Sequence, residues 1–224
     1  MQGPVLFPRI YGALLEWPVS KPPEVSEELV DRVRQGDLDA FNQIVAVFQD
    51  RIYNLCLRIL GSPQAAEDAA QDTFMSAYRN AGKLRGVNVR SWLFRIASNT
   101  CIDSVRKRQR RPVVSLDSSS ADDDARPVEV PDEGPGPERR TLQSELHDAV
   151  QEALLDLPAD QRIAVTLCDL EGFQYEEIAD VMGSSVGTVK SRISRGRVRL
   201  REAIRNRPEL FEHYIRPIGE GGEP

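Results

Sequence analysis

The chain has 224 residues, 40% of them apolar and 29% charged, with a formal net charge of -6. That length holds one large domain or two small ones, with enough apolar material for compact cores. Three widely spaced cysteines, Cys56, Cys101 and Cys168, with no CxxC pair and no histidine at ligand spacing, exclude a disulfide framework and give no metal site; they read as small buried apolar groups in a reducing cytoplasm.

Residues 1–23 read as an irregular N-terminal extension. They make a poor signal peptide, because the start is not basic, prolines interrupt the stretch and Glu16 breaks its only apolar run. No segment reaches the roughly 18 consecutive apolar residues of a membrane span. A soluble, cytoplasmic protein without membrane insertion is expected.

Residues 24–111 form a first helical module. Phe41, Ile44, Val45, Phe48, Ile52, Leu55, Leu57, Ile59 and Leu60 recur near helical spacing, and Gly61-Ser62-Pro63 ends that run. A second helix covers 64–80. A third opens at Val89 or Arg90 and runs to Pro112, which cannot continue it. In it Trp92, Leu93, Phe94 and Ile96 read as mainly core, with an exposed stacking platform the alternative for Trp92.

Composition then shifts. Residues 112–140 hold five prolines, two glycines and four serines, with eight acids against three arginines. Such a stretch cannot bury enough apolar surface to offset its ordering entropy, so it reads as a flexible acidic linker. Residues 141–210 form a second module. There 142–155 is amphipathic, Pro158 starts a helix, Gly172 closes it, and the acidic helix YEEIADVM precedes a small-residue break and a basic helix. Residues 211–224 are a tail, either disordered or in contact with the first module or a regulator. No alternating run suggests a strand. The fold class is all-α, two small helical domains joined by the linker.

The basic helix carries the chemistry. On a 100° wheel Val186, Val189, Ile193, Gly196, Leu200 and Ile204 share one face; Thr188, Ser191 and Arg195 point opposite, flanked by Arg192, Ser194 and Arg199. Gly183 suits a helix C-cap, and Ser184 or Ser185 can cap the next start. Helix, tight turn and donor-rich helix make a helix-turn-helix. Such a face offers donors to guanine O6 and N7 and to phosphates, and Lys190, Arg192, Arg195, Arg197, Arg199 and Arg201 supply its positive field. A solvated surface helix would explain the charge alone, but not the turn, cap and segregated apolar face together.

The net charge hides two such patches. Between Arg85 and Arg111 eight basic residues face one acid, Asp103; between Gly183 and Arg207 eight more face only Glu202. Two patches suggest two contacts on one nucleic acid. Nothing points to catalysis: His147 and His213 lack a Ser/His/Asp set or nucleophile motif, and no glycine-rich phosphate loop occurs. No catalytic residue and no cofactor is expected.

Three blocks resemble the extracytoplasmic-function group of bacterial sigma factors of the sigma-70 family, the promoter-specificity subunits of RNA polymerase. AAEDAAQDTFMSAYR (65–79) is similar to the core-binding helix of region 2. SWLFRIASNTCIDSVRKRQRR (91–111) is similar to the helix that faces the minus-ten element. The block 157–201, with YEEIA followed by GTVKSRISRGR, resembles region 4, which reads the minus-35 element. The resemblance implies a dissociable initiation factor that binds core polymerase through the β′ clamp helices and the β flap, contacts promoter DNA, and is commonly restrained by an anti-sigma protein.

By position, the resemblance assigns Asp68, Gln71 and Asp72 to the polymerase; without it they read as an ordinary solvated helix face, and Phe74 and Tyr78 read as core. It assigns Asn99, Asp103, Arg106, Lys107, Arg108 and Arg110 to the minus-ten region. It assigns Lys190, Ser191, Ser194 and Arg195 to minus-35 bases or adjoining phosphates, next to the outward Thr188; Arg199 and Arg201 are phosphate contacts or merely solvated. Relatives catch a flipped base in a loop matching Leu84–Val89. This chain departs there, with a loop one residue shorter and Val89 where an aromatic is common, which leaves the pocket and its base unassigned. A stand-alone helix-turn-helix repressor or activator is the rival reading; it has no use for the first module. A helical scaffold without DNA binding is a third.

Overall fold

Helix starts follow the side chains that take up orphan backbone N–H groups. The computed structural model describes residues 25–84, 86, 88–110, 145 and 148–206. Ser26 Oγ accepts from Leu29 N at 3.2 Å and opens α1 (Glu27–Arg34). Asp37 Oδ1 accepts from Ala40 N at 3.0 Å and opens α2 (Leu38–Leu60). Ser62 does the same for α3 (Pro63–Arg79), with Pro63 at the first helical position. Asn88 Oδ1 accepts from Ser91 N at 3.0 Å and starts α4 (Val89–Arg110). Gly61, at φ 72°, closes α2 in the left-handed conformation. The helix α1 is an addition to the sequence reading, since eight residues are too few for a period to stand out.

Helices α2, α3 and α4 pack on one another, and α1 with the 3-10 turn Ala81–Lys83 closes one end of the bundle. Phe48, Ile44, Ile52, Leu55, Ile59, Leu93 and Phe94 are fully buried in its centre. Trp92 and Ile96 are half-buried against this core, as is Phe74. Tyr78 corrects the sequence expectation of a core residue: it is 41% exposed and leans edge-on against Phe41, with centroids 5.1 Å apart.

The second bundle begins with a helix over residues 148–155, α5. Then α6 (Ala159–Val165) runs without a break into a π turn, Thr166–Leu170, where Glu171 N donates to Thr166 O at 3.0 Å. Next come α7 (Tyr175–Met182) and α8 (Val186–Arg205), and both pack with α6 or its π turn. The turn between α7 and α8 has Gly183 at φ 57° and Ser185, not Ser184, as cap: Ser185 Oγ accepts from Thr188 N at 3.1 Å. Among the described residues there is no strand, in keeping with the all-α expectation. The expected linker 112–140, the extension 1–23, the tail 211–224 and both histidines lie outside the described residues.

The two bundles share a seam. The last turn of α2 leaves carbonyls without helical partners, and the second bundle supplies donors. Gln151 Nε2 donates to Leu57 O at 3.2 Å and to Arg58 O at 3.3 Å, while Arg58 Nη1 donates to Gln151 Oε1 at 3.0 Å. Arg162 Nη1 donates to Ile59 O, and its Nη2 to Leu155 O at 2.6 Å and Leu157 O at 2.9 Å. Farther along, α4 lies on α7, and Phe94 meets Phe173 with centroids 5.0 Å apart.

Close approach inside the second bundle depends on Gly196. A Cβ there would come within 2.6 Å of Val165 Cγ2 and 3.3 Å of Leu157 Cδ2, and a valine side chain has little freedom to turn aside. Gly196→Ala therefore forces α8 away from α6. Thermal unfolding should show a loss of about 1–3 kcal/mol; an unchanged midpoint would mean that α8 is less closely seated than described.

Candidate nucleic-acid interface

One face of α8 is pinned by packing. Val189, Ile193, Gly196 and Leu200 are buried and Val186 is half-buried, which turns the opposite side to solvent. Lys190, Ser191, Ser194, Arg195 and Arg199 are exposed there, and Thr188 is half-buried with its hydroxyl 2.9 Å from Ser185 Oγ. Arg195 lies along its own helix: Nε donates to Ser191 O at 3.2 Å and Nη2 to Ser191 Oγ at 3.0 Å. These two bonds orient a guanidinium that has five N–H donors in all. Ser191 and Arg195 thus form one preset unit, suited to a base edge or a phosphate.

The expected outward field of six cations needs correction. Arg192 Nε donates to Asp160 Oδ2 at 2.9 Å. Arg197 Nε donates to Asp169 Oδ2 at 3.1 Å and its Nη2 to Asp169 Oδ1, with Cys168 Sγ 3.5 Å away. Both arginines brace α8 against α6 and the π turn. A wheel drawn on α8 cannot find this, because the acids lie about 30 residues upstream. The Asp169 hydrogen bonds raise the Arg197 pKa; burial, and then Asp169, push the Cys168 thiol up to about 12.

The second basic surface lies on the C-terminal half of α4. Asn99, Asp103, Arg106, Lys107, Arg108 and Arg110 are all exposed. Asp103 is 3.8 Å from Arg106, so the one acid of this stretch is partly offset by its neighbour. Exposed Arg95, one turn before Asn99, extends the stripe; its i, i+4 spacing was the available signal, and the sequence reading passed over it. Before α4, Arg34 Nε donates to Leu84 O at 2.9 Å and its Nη2 to Gly86 O at 2.7 Å, tying the loop to α1. Val89 is buried in the core. Arg85 and Val87 of the expected base-capture loop lie outside the described residues.

Asp68, Gln71 and Asp72 are exposed on α3 at i, i+3 and i+4, so they share one stripe. Beside it runs an open groove of about 550 Å³ between α2 and α3, with Val45, Tyr53, Phe74 and Met75 on its walls and Asp50 and Glu67 at its rim. Met75 is 51% exposed. An acidic stripe beside an apolar groove fits a partner helix that offers arginines and apolar side chains. Among the described residues no helix is long and apolar enough to cross a membrane.

Comparison with known proteins gives the same two surfaces a context. Residues 44–111 match Sigma-70 region 2, and residues 147–200 match Sigma-70, region 4. The RNA polymerase sigma-H factor of Pseudomonas aeruginosa is 39% identical over 186 residues, 81% of this chain and 94% of that protein. The ECF RNA polymerase sigma factor SigW of Bacillus subtilis is 36% identical over 181 residues, 79% of this chain and 95% of that protein. Among solved structures, the sigma factor RpoE of Bartonella quintana, in complex with the anti-sigma factor NepR, is similar at 30% identity and a TM-score of 0.57, covering 75% of this chain and 98% of that one.

The division of arginines on α8 can be tested by stability. Arg197→Ala leaves Asp169, 2% exposed in its side chain, without its guanidinium, and should cost about 3 kcal/mol or more. Arg195→Ala removes an exposed side chain and should stay within about 0.5 kcal/mol. Urea unfolding of both variants checks this; equal losses would contradict the assignment.

Proposed function

The chain belongs to the extracytoplasmic-function sigma factors of the sigma-70 family, and from that premise we propose that it divides its work by surface, with the α3 stripe holding polymerase and α4 and α8 reading two promoter elements. As a sigma factor it binds core RNA polymerase and directs promoter-specific initiation. Residues 24–111 act as region 2 and 141–210 as region 4, joined by 112–140. Asp68, Gln71 and Asp72 meet the β′ clamp helices, and region 4 meets the β flap. Asn99, Asp103, Arg106, Lys107, Arg108 and Arg110 follow the minus-ten region. Lys190, Ser191, Ser194 and Arg195 read the minus-35 element, with Thr188 and Arg199 at its edge.

The observation that carries this reading is the separation of charge. Two exposed basic stripes lie on different helices, and the acids nearest α8 on α6 and the π turn are paired, Asp160 with Arg192 and the buried Asp169 with Arg197. Phosphate contacts by such stripes make binding fall steeply with salt. The chain acts by binding and not by catalysis, and its place is the cytoplasm with the polymerase. An anti-sigma protein is a further partner, by analogy with the RpoE–NepR complex. A stand-alone repressor is not favoured, because it leaves the α3 stripe and the groove beside it without a use.

Reconstituted transcription with purified core polymerase and a promoter library tests the reading. Initiation should depend on the added protein and return both elements. Arg195→Ala should lower minus-35 recognition by about 1–3 kcal/mol and leave affinity for core polymerase unchanged. Asp72→Arg should do the reverse. DNA binding without polymerase association would favour the repressor reading instead.

A further inference from the structure

The groove between α2 and α3 continues beyond the residues that wall it. Val45 on its α2 side is one turn from Phe41, and Phe41 meets the ring of Tyr78, which is 41% exposed. Leu38, 54% exposed, lies one turn farther toward the start of α2, and Met75, on the opposite wall, precedes Tyr78 by three residues. Leu38, Met75 and Tyr78 are three of the five exposed large apolar side chains among the described residues. They make an apolar track from the groove toward the end of the bundle that α1 closes. A contiguous exposed track marks a binding surface. Gln71, read above as a polymerase contact, lines the same groove.

Of the N-terminal extension, the linker and the tail, only the extension matches the groove in charge. Asp50 and Glu67 stand at the rim, with Asp68 and Asp72 beside them, and such a rim disfavours acidic chain. Residues 112–140 carry eight acids against three arginines, and residues 211–224 carry three acids against one arginine. Residues 1–23 carry Arg9 and Lys21 against Glu16. Their apolar spacing also fits. Phe7, Ile10, Tyr11, Leu14 and Trp17 recur at i, i+3, i+4, i+7 and i+10, with Pro8 in front and Pro18 behind, the pattern by which a segment lays one apolar face into a groove. The distance is within reach. By way of α1, its turn and the first two turns of α2, Val25 is at most about 40 Å from Val45. Gly12, in the middle of the segment, is 13 residues before Val25 and reaches up to about 45 Å.

We propose that residues 7–17 dock along the α2–α3 groove of their own chain and compete there with the polymerase. The inference rests on the reading of Asp68, Gln71 and Asp72 as the polymerase surface, and it adds an occupant to the groove beside them. The tether makes a weak contact sufficient. A short flexible tether holds its ends at an effective concentration of about 1 mM, so an intrinsic Kd of about 0.1 mM leaves the groove about nine-tenths covered. Polymerase then binds about ten-fold more weakly than it would to an open groove.

The test places a photo-reactive benzophenone side chain at position 75 of the full chain, at a dilution that keeps the protein monomeric, and maps the crosslinks by mass spectrometry. Crosslinks should join position 75 to residues 7–17 of the same chain and fall when core polymerase is added. Leu14→Asp should remove most of them. In a chain without the benzophenone, Leu14→Asp should tighten binding to core polymerase about ten-fold. Crosslinks to the linker, to the tail or to a second copy in place of residues 7–17 would overturn the proposal. So would an affinity for core polymerase that Leu14→Asp leaves unchanged. Crosslinks to residues 7–17 in a chain that does not bind core polymerase at all would count against the sigma reading and leave the docking standing.

Discussion

A guanidinium carries five donors and keeps its charge at any physiological pH, so every arginine the fold encloses must be given acceptors. This chain meets that demand with backbone carbonyls as much as with carboxylates. Arg162 donates to one carbonyl at the end of α2 and two at the end of α5, Arg34 to two in the loop before α4, and Arg90 to one at the seam. Asp160 and Asp169 take the two arginines of α8 that turn inward. What stays outside on these two helices includes Lys190, Arg195 and Arg199 on α8, and Arg95, Arg106, Lys107, Arg108 and Arg110 on α4. An acidic protein can present two basic surfaces because its acids lie almost wholly outside the two basic stretches, and Asp160 and Asp169 beside α8 are paired with its arginines.

The same demand ties the bundles together. The C-terminal carbonyls of α2 carry the negative end of a helix of 23 residues, and Arg162 answers them with a buried cation from the other bundle. Gly61 is part of this arrangement, since a Cβ there would lie 2.5 Å from Leu155 Cδ1. Its left-handed φ and the nearness of α5 are two separate reasons for the same residue.

Much of this was legible in the sequence. Apolar spacing gave α2, the run 91–111 gave α4, Gly61-Ser62-Pro63 marked the break before α3 and Gly183 the turn between α7 and α8, and the wheel placed Ser191, Ser194 and Arg195 outward, where they are. What a wheel cannot show is a partner from a distant element. Arg192 and Arg197 look like any other cation of the helix until Asp160 and Asp169 are brought beside them. The seam had a weak signal: Arg51 and Arg58 stand among Phe48, Ile52, Leu55 and Ile59 in an otherwise apolar helix, seven residues apart, and charge in such a stripe asks for a partner. The sequence alone names none, because Glu171 and Gln151 lie roughly a hundred residues away.

The π turn at Thr166–Leu170 gives these partners a common origin. A π turn is a regular helix with one residue too many, and the wider turn takes up that residue locally, so that the chain beyond keeps nearly the register of an ordinary helix. Asp169 lies within it and Glu171 and Phe173 follow at once, so the brace on α8 stands on the bulge itself and the contact with the first bundle just beyond it. A one-codon deletion there would remove the bulge and disturb the residues within it, Asp169 among them, while those beyond it keep nearly their present register. The brace on α8 is therefore exposed to a change of length that the contact just beyond it would tolerate.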